Sequence, residues 1–495
     1  MSYSPKLTSS FNNSRNKSSL ISPQSGMCSL CDDGCDGSCE IGIAAIIGAR
    51  AVYPTTTGAN QVASEKEYPI DYSHFNINGR VFGAMGLDNP TAENATVFNV
   101  NLEGEYGYDN KVRTKLPLFL PALIKLNWKD YFAGAAMMGI PCVIGESAID
   151  KDPNLLMKNG RVVGFEFLKQ IKAVYDKYYR GYGQLILQCN YEDDMFGVPE
   201  YAIKEAGIEG IEFKFGQSAK GIQPVIRLKD HDEALKEYDK GYLVYPNPRD
   251  EAVIKAFKEG TCPNFYKYGR LPMWSEEYLK NRINELKELG VKNIYFKMAG
   301  YDKIDIKRVI EIASNLCIDM ITFDGAGGGS GYSPCKMMNE WSYPTVMLEK
   351  IVCDTIKKLP KGSYKPAITI TGGFASEDQV YKALAIGDGK VTHIGLCRAA
   401  MAAAMVGKRR GEKIANGECT VDIFEDLPDL RAIYGKGADE FPPGAIGVFS
   451  YLNKIGFGLK HFAALNRKFD LQHININDVI PLTGSAEKIL FDGED

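Results

Sequence analysis

Eight short apolar runs, each followed by a loop and a helix-like stretch, constrain this chain more than any other feature. The runs are LPLFLPAL (116–123), GIPCVIGE (139–146), QLILQCN (184–190), GIEFKFGQ (210–217), KNIYFKMAG (292–300), MITFDGAG (320–327), AITITGGF (367–374) and VTHIGLCR (391–398). Each is nearly continuous in hydrophobicity, as strands buried on both faces of a parallel sheet must be. The stretches between them are amphipathic. In SEEYLKNRINELKELG (275–290), Leu279, Ile283, Leu286 and Leu289 share one helix face, charges occupy the other, and Gly290 supplies a stop. Eight alternating units predict an α/β fold, a closed (β/α)8 TIM barrel, with an open doubly wound sheet as the alternative.

The rest of the 495 residues divides around that barrel. Residues 1–27 are rich in Ser and Asn and read as a disordered leader. Residues 28–115 form an N-terminal segment with a cysteine cluster, the barrel spans 116–470, and 471–495 reads as a C-terminal tail. Between the fourth and fifth runs an insertion at about 222–275 follows a strand, so it is expected over the catalytic end as a lid, or as a surface insertion without a role. The leader lacks the apolar stretch of a signal peptide, and no run approaches 18 apolar residues, so a cytoplasmic protein without a membrane span is expected. A formal net charge of −4 gives no electrostatic reason to expect nucleic acid.

Four of the twelve cysteines fall at Cys28, Cys31, Cys35 and Cys39; the other eight are scattered, several in apolar segments, as buried thiols would be. Four thiols within twelve residues allow one short loop to wrap one metal centre. A [4Fe-4S] cluster is the favoured reading, with a zinc site, disulfides or free thiols as alternatives. The spacing of two, three and three intervening residues does not fit a radical-SAM site, which needs three and then two.

Barrel active sites lie at the C-terminal ends of the strands, so the residues ending each run are candidates. Thr371-Gly372-Gly373-Phe374 and Gly395-Leu396-Cys397-Arg398 follow the seventh and eighth runs, where this fold usually binds phosphate. Glycine there admits backbone N–H groups close to an anion, a following helix adds its dipole, and Arg398 adds a charged contact. The sixth loop holds Asp324, Gly325, Gly327 and Gly328, a composition suited to close backbone approach to a flat ligand, or simply to a flexible loop. Lys297 near the end of the fifth run is either a solvated lysine or a cation facing an electron-accepting ring.

ITFDGAGGGSGYSP followed by ITITGGF and IGLCRAAMAA resembles the FMN-binding synthase domain of glutamate synthases. GIEFKFGQSAKG (210–221) resembles that family's fourth-strand motif, and CVIGES (142–147) and QCNYEDDMFGVPEY (188–201) precede it in the same order. The resemblance spans roughly residues 115 to 465. It implies that Gly372, Gly373, Gly395 and Arg398 hold the FMN phosphate and that Gln188 and Lys297 meet the isoalloxazine ring. It also implies that Lys214, Gln217 and Lys220 face a 2-oxoacid or imino acid, and that Glu146 stands at the ammonia entry. A dicarboxylate needs such cationic and amide donors.

This chain also departs from the family. It begins Met-Ser-Tyr-Ser without a glutaminase domain, so ammonia is expected from a separate subunit. Only Cys419 follows the eighth run where the family has its cluster cysteines, and the glycine-rich extension after Lys220 shortens to GIQP. The expectation is an FMN and iron–sulfur oxidoreductase acting on the C–N bond of an amino acid or 2-oxoacid-derived imine, exchanging electrons with a ferredoxin-like or flavoprotein partner, and forming a homo-oligomer. A related FMN oxidoreductase with another substrate, or a non-catalytic electron-transfer subunit, is the alternative. Hydroxyacid oxidases share the fold, but their catalytic histidine motif has no match among the five histidines.

Overall fold

The computed structural model describes residues 45–46, 68–124, 127–218, 225–228, 230–262, 264–326, 328, 337–435 and 441–491. The eight apolar runs become eight parallel strands closed into one barrel: β1 (Leu118–Leu123), β2 (Cys142–Ile144), β3 (Leu185–Cys189), β4 (Gly210–Lys214), β5 (Asn293–Ala299), β6 (Met320–Asp324), β7 (Ala367–Thr371) and β8 (His393–Gly395). Closure comes from β8 pairing with β1, Ile394 opposite Leu118 and Gly395 opposite Phe119. Closure removes every free edge, which an open doubly wound sheet would leave exposed.

Side chains alternate along each strand, so every second residue enters the barrel. Phe119, Val143, Ile186, Tyr295 and Met320 pack there as one buried cluster. A hairpin of Gly104–Tyr106 and Val112–Thr114 joins this cluster: the Tyr106 and Tyr295 hydroxyls lie 3.2 Å apart, and the Tyr106 ring meets His393 edge-on. Part of the segment before the barrel therefore closes its N-terminal end. Burial pushes the His393 imidazole down to about 3, so this histidine is a neutral core residue.

The insertion after β4 is a three-stranded antiparallel sheet, with Phe265–Tyr268 between Val225–Leu228 and Leu243–Tyr245. It has its own small core of Leu228, Ala234, Val244 and Phe265. It docks by charge and by ring contacts. Lys267 reaches both Asp150, beyond β2, and Glu237 (3.0 and 2.7 Å), while Trp274 packs edge-on against Phe213 and Phe215.

Residues 471–491, expected as a tail, are packed instead. Val479–Pro481 pairs antiparallel with Phe75–Ile77, and Asp478 is fully buried against the equally buried Lys468. Asp478 also accepts from the Asn475 N–H at 3.0 Å. A single-sequence pattern hides this because the partners lie about 400 positions apart. No helix among the described residues is long and apolar enough to cross a membrane.

Removing one member of a buried ion pair strands the other charge and costs about 3–5 kcal/mol. Lys468→Met is therefore expected to lower stability by about that much. Chemical denaturation followed by circular dichroism measures it, and an unchanged midpoint would contradict the role given to this pair.

Candidate active site

Pairing in register brings the C-terminal strand ends side by side. Lys297 is opposite Lys214 on one side and Thr322 on the other; Gln188 is opposite Glu212; Asp324 is opposite Thr371, and Thr371 opposite Gly395. The candidates from six strands thus share one mouth. Lys214, Lys297, Gln188 and Asp324 are all buried, at 4, 4, 1 and 4% exposure.

Buried charges must be compensated, and these are. Lys214 forms an ion pair with Glu146 and donates to Gln217 Oε1 at 3.2 Å. This brings together three of the four candidate catalytic residues: Lys214 and Gln217, expected to face substrate, and Glu146, expected at the ammonia entry. The fourth, Lys220, lies outside the described residues, as does Gly327. Burial works to lower the Lys297 pKa, but the carboxylates of Asp324 and Glu212 more than offset this and hold it above the usual lysine value. Glu212, two residues before Lys214 on the inward face, accepts from Gln188 Nε2 and, weakly, from Thr322 Oγ1 at 3.5 Å. Burial raises its pKa, and Lys297, Gln188 and Lys214 pull the other way.

The glycine turns converge at the same mouth. The Gly325 N–H donates to the Thr371 carbonyl at 2.8 Å, and Thr345 Oγ1 donates to the Gly372 carbonyl at 2.7 Å, so the loops after β6 and β7 are tied together. Gly372 has φ +128°, and a Cβ there would lie 2.8 Å from the Gly325 carbonyl oxygen. Only glycine fits this crossing. A Cβ on Gly395 would press into Thr371, so the loop after β8 lies equally close. Arg398 opens the helix Arg398–Ala415 beside these turns, and burial lowers its pKa. Burial raises the neighbouring Cys397 thiol, an effect opposed by Lys297 and Arg398. On the other side, the Ser218 N–H donates to Asp324 Oδ2 at 3.0 Å, joining the loop after β4 to β6.

An acceptor in this layer is open. With Gln188 Nε2 committed to Glu212, its Oε1 is buried and has no hydrogen-bond partner among the described residues. A buried acceptor left alone costs about 1–3 kcal/mol. An orphan of this kind at the floor of the mouth fits a ligand that brings an N–H or O–H group.

Behind Glu146, the loop after β2 turns through Ser147 at φ +56°. Its N–H donates to the buried Asp193 Oδ2 at 2.9 Å, which also accepts from the Asn190 N–H. Burial pushes the Asp193 carboxyl up to about 7. Sequence reasoning missed Glu212, Asp193, Thr345 and Ser218. The first was findable from the two-residue alternation with Lys214; the others had no local signal.

Among the described residues, no group of three or more His, Cys, Asp or Glu side chains could hold a metal ion. Cys28, Cys31, Cys35 and Cys39 lie outside the described residues.

Residues 269–441 match the family model for the conserved region in glutamate synthase, so this part of the chain carries that region. No curated protein matches the chain significantly in sequence. Among solved structures, the flavin-binding domain of baker's yeast flavocytochrome b2 is similar at 11% identity and TM-score 0.47, covering 83% of this chain and 78% of that one. A soluble mutant of the membrane-associated (S)-mandelate dehydrogenase from Pseudomonas putida is similar at 13% identity and TM-score 0.45, covering 83% and 88%.

A carboxyl whose pKa is raised in the fold keeps its proton where the unfolded chain releases it, so stability falls as pH rises between the two values. For Asp193 that window runs from about 4 to about 7. Thermal melts between pH 4 and 8 are expected to show a shallower loss of Tm in Asp193→Asn than in the parent; identical slopes would contradict the burial of an ionisable Asp193.

Proposed function

We propose that this chain is an FMN-dependent oxidoreductase of the glutamate synthase type, acting on the C–N bond of an amino acid or a 2-oxoacid-derived imine. The observation that carries this reading is the mouth itself. Two buried lysines on adjacent strands, Lys214 and Lys297, stand beside glycine turns and a helix start bearing Arg398. The match of residues 269–441 to the glutamate synthase region supports it independently.

The residues fit the cofactor. Gly372 carries no side chain where the loops after β6 and β7 cross, as backbone approach to a phosphate would need, and the orphan Gln188 oxygen asks for a donor such as a ring N–H. Gly372, Gly373, Gly395 and Arg398 would hold the phosphate; Gln188, Lys297 and the turn from Asp324 through Gly328 would hold the ring. FMN, when bound, supplies hydride or single-electron transfer at its ring.

The chain's own residues do the rest. Lys214 and Gln217, with Lys220, would bind the carboxylates of the substrate, and a charged hydrogen bond of this kind contributes about 1.5–3 kcal/mol. Glu146, paired with Lys214, would accept or return a proton at the substrate nitrogen. The insertion, anchored by Lys267 on Asp150 and by Trp274 on Phe215, would limit water at the loop that carries Glu146. We extend the proposal to Cys28, Cys31, Cys35 and Cys39 as ligands of a [4Fe-4S] cluster exchanging electrons with a ferredoxin-like or flavoprotein partner; their spacing is its support.

Two measurements test this. Anaerobically purified protein is expected to show flavin absorption bands plus a broad shoulder that bleaches with dithionite, and a zinc-loaded protein without flavin would overturn the reading. Lys214→Ala is expected to keep one FMN per chain and lose about 10- to 150-fold in kcat/KM toward 2-oxoacid and ammonia. Full turnover in that variant would remove the substrate assignment.

A further inference from the structure

Beneath the proposed ring site one carboxylate makes two kinds of contact at once. Glu212 is 1% exposed, lies on the inward face of β4, and has Gln188 opposite it on β3. Its Oε1 takes the Gln188 amide hydrogen, and its charge acts on both Lys297 and Lys214. An amide has two ends, and which end faces the mouth is decided by which end is already held. Here the nitrogen is held, so Gln188 offers its carbonyl oxygen, and that oxygen has no partner among the described residues. Lys297 likewise is not an unopposed cation, because Glu212 and Asp324 stand against it.

We propose that Glu212 is a positioning residue for the flavin: it turns the Gln188 carbonyl toward a ring N–H and opposes the charge that Lys297 presents to the ring. The inference rests on the FMN reading above and goes beyond it by assigning a residue and a direction of redox tuning. The oxidised isoalloxazine ring carries a single N–H, at N3 on its pyrimidine edge, and this is the donor that an oriented carbonyl would select. The charge effect has a definite sign. Reduction adds electron density to the ring, a nearby cation favours the reduced state, and a carboxylate beside that cation weakens the effect. Glu212 therefore lowers the flavin midpoint potential and makes the bound cofactor a stronger reductant. A group that only packed the barrel floor would leave the potential unmoved.

Glu212→Gln separates the two roles, because a glutamine oxygen still accepts from Gln188 while the charge is gone. The expected result is unchanged FMN stoichiometry with a midpoint potential shifted to more positive values, read by spectroelectrochemistry. FMN bound at the parent potential would overturn this inference and leave the FMN reading standing. Gln188→Leu tests the other half and serves even if Glu212→Gln fails to fold. It removes the oriented acceptor, so the dissociation constant for FMN is expected to rise at least tenfold, and an unchanged constant would overturn the amide assignment. A parent protein that takes up no FMN at all removes both the cofactor reading and this inference.

Discussion

Closure of the barrel is the constraint on which the site depends. When β8 pairs with β1, every strand end that carries a candidate residue comes to one rim, and Gly395 is brought beside Thr371 and Phe119. In an open sheet the first and last strands would diverge, and the loops after β6, β7 and β8 would have no reason to meet Glu146 across the mouth. Closure costs nothing in unpaired backbone, because each strand gains two neighbours. It also divides the interior in depth, with an apolar cluster around Phe119, Ile186 and Tyr295 below and a polar layer of Gln188, Glu212, Lys297 and Thr322 above.

That polar layer is expensive to build. Each buried lysine loses its hydration and is tolerated only because a carboxylate stands near it: Glu146 for Lys214, and Asp324 with Glu212 for Lys297. A hydrophobic layer of similar volume would stabilise the barrel at least as well, so stability does not explain these charges. The unpartnered Gln188 oxygen points the same way, since it costs free energy until a donor arrives.

The barrel was readable from sequence because its signal is local. Eight runs such as MITFD and AITIT are buried on both sides along their whole length, and each became a strand within a few residues of the predicted limits. The helix expected over 275–290 forms as Glu276–Glu288, capped by Ser275, with Leu279, Ile283 and Leu286 buried as the periodicity required. The glycine turns and strand-end lysines were readable for the same reason: their position after a strand is their meaning. What sequence did not reveal depends on distant partners. Thr345 matters because it bridges to Gly372, Asp193 because it holds Ser147, and residues 471–491 because Lys468 and the strand Phe75–Ile77 receive them. Glu212 lies between these cases: its inward phase with Lys214 was visible, its hold on Gln188 was not.

The central claim is that the glycine turns after β7 and β8, with Arg398, hold the phosphate of a flavin mononucleotide. Binding of FMN and of riboflavin to the flavin-free protein, measured side by side by fluorescence quenching, tests it most directly, because the two ligands differ only in that phosphate. The account predicts FMN binding at least 100-fold tighter than riboflavin at equal ring contacts. Equal affinities would show that the turns hold no phosphate, and the assignment of this mouth would fail.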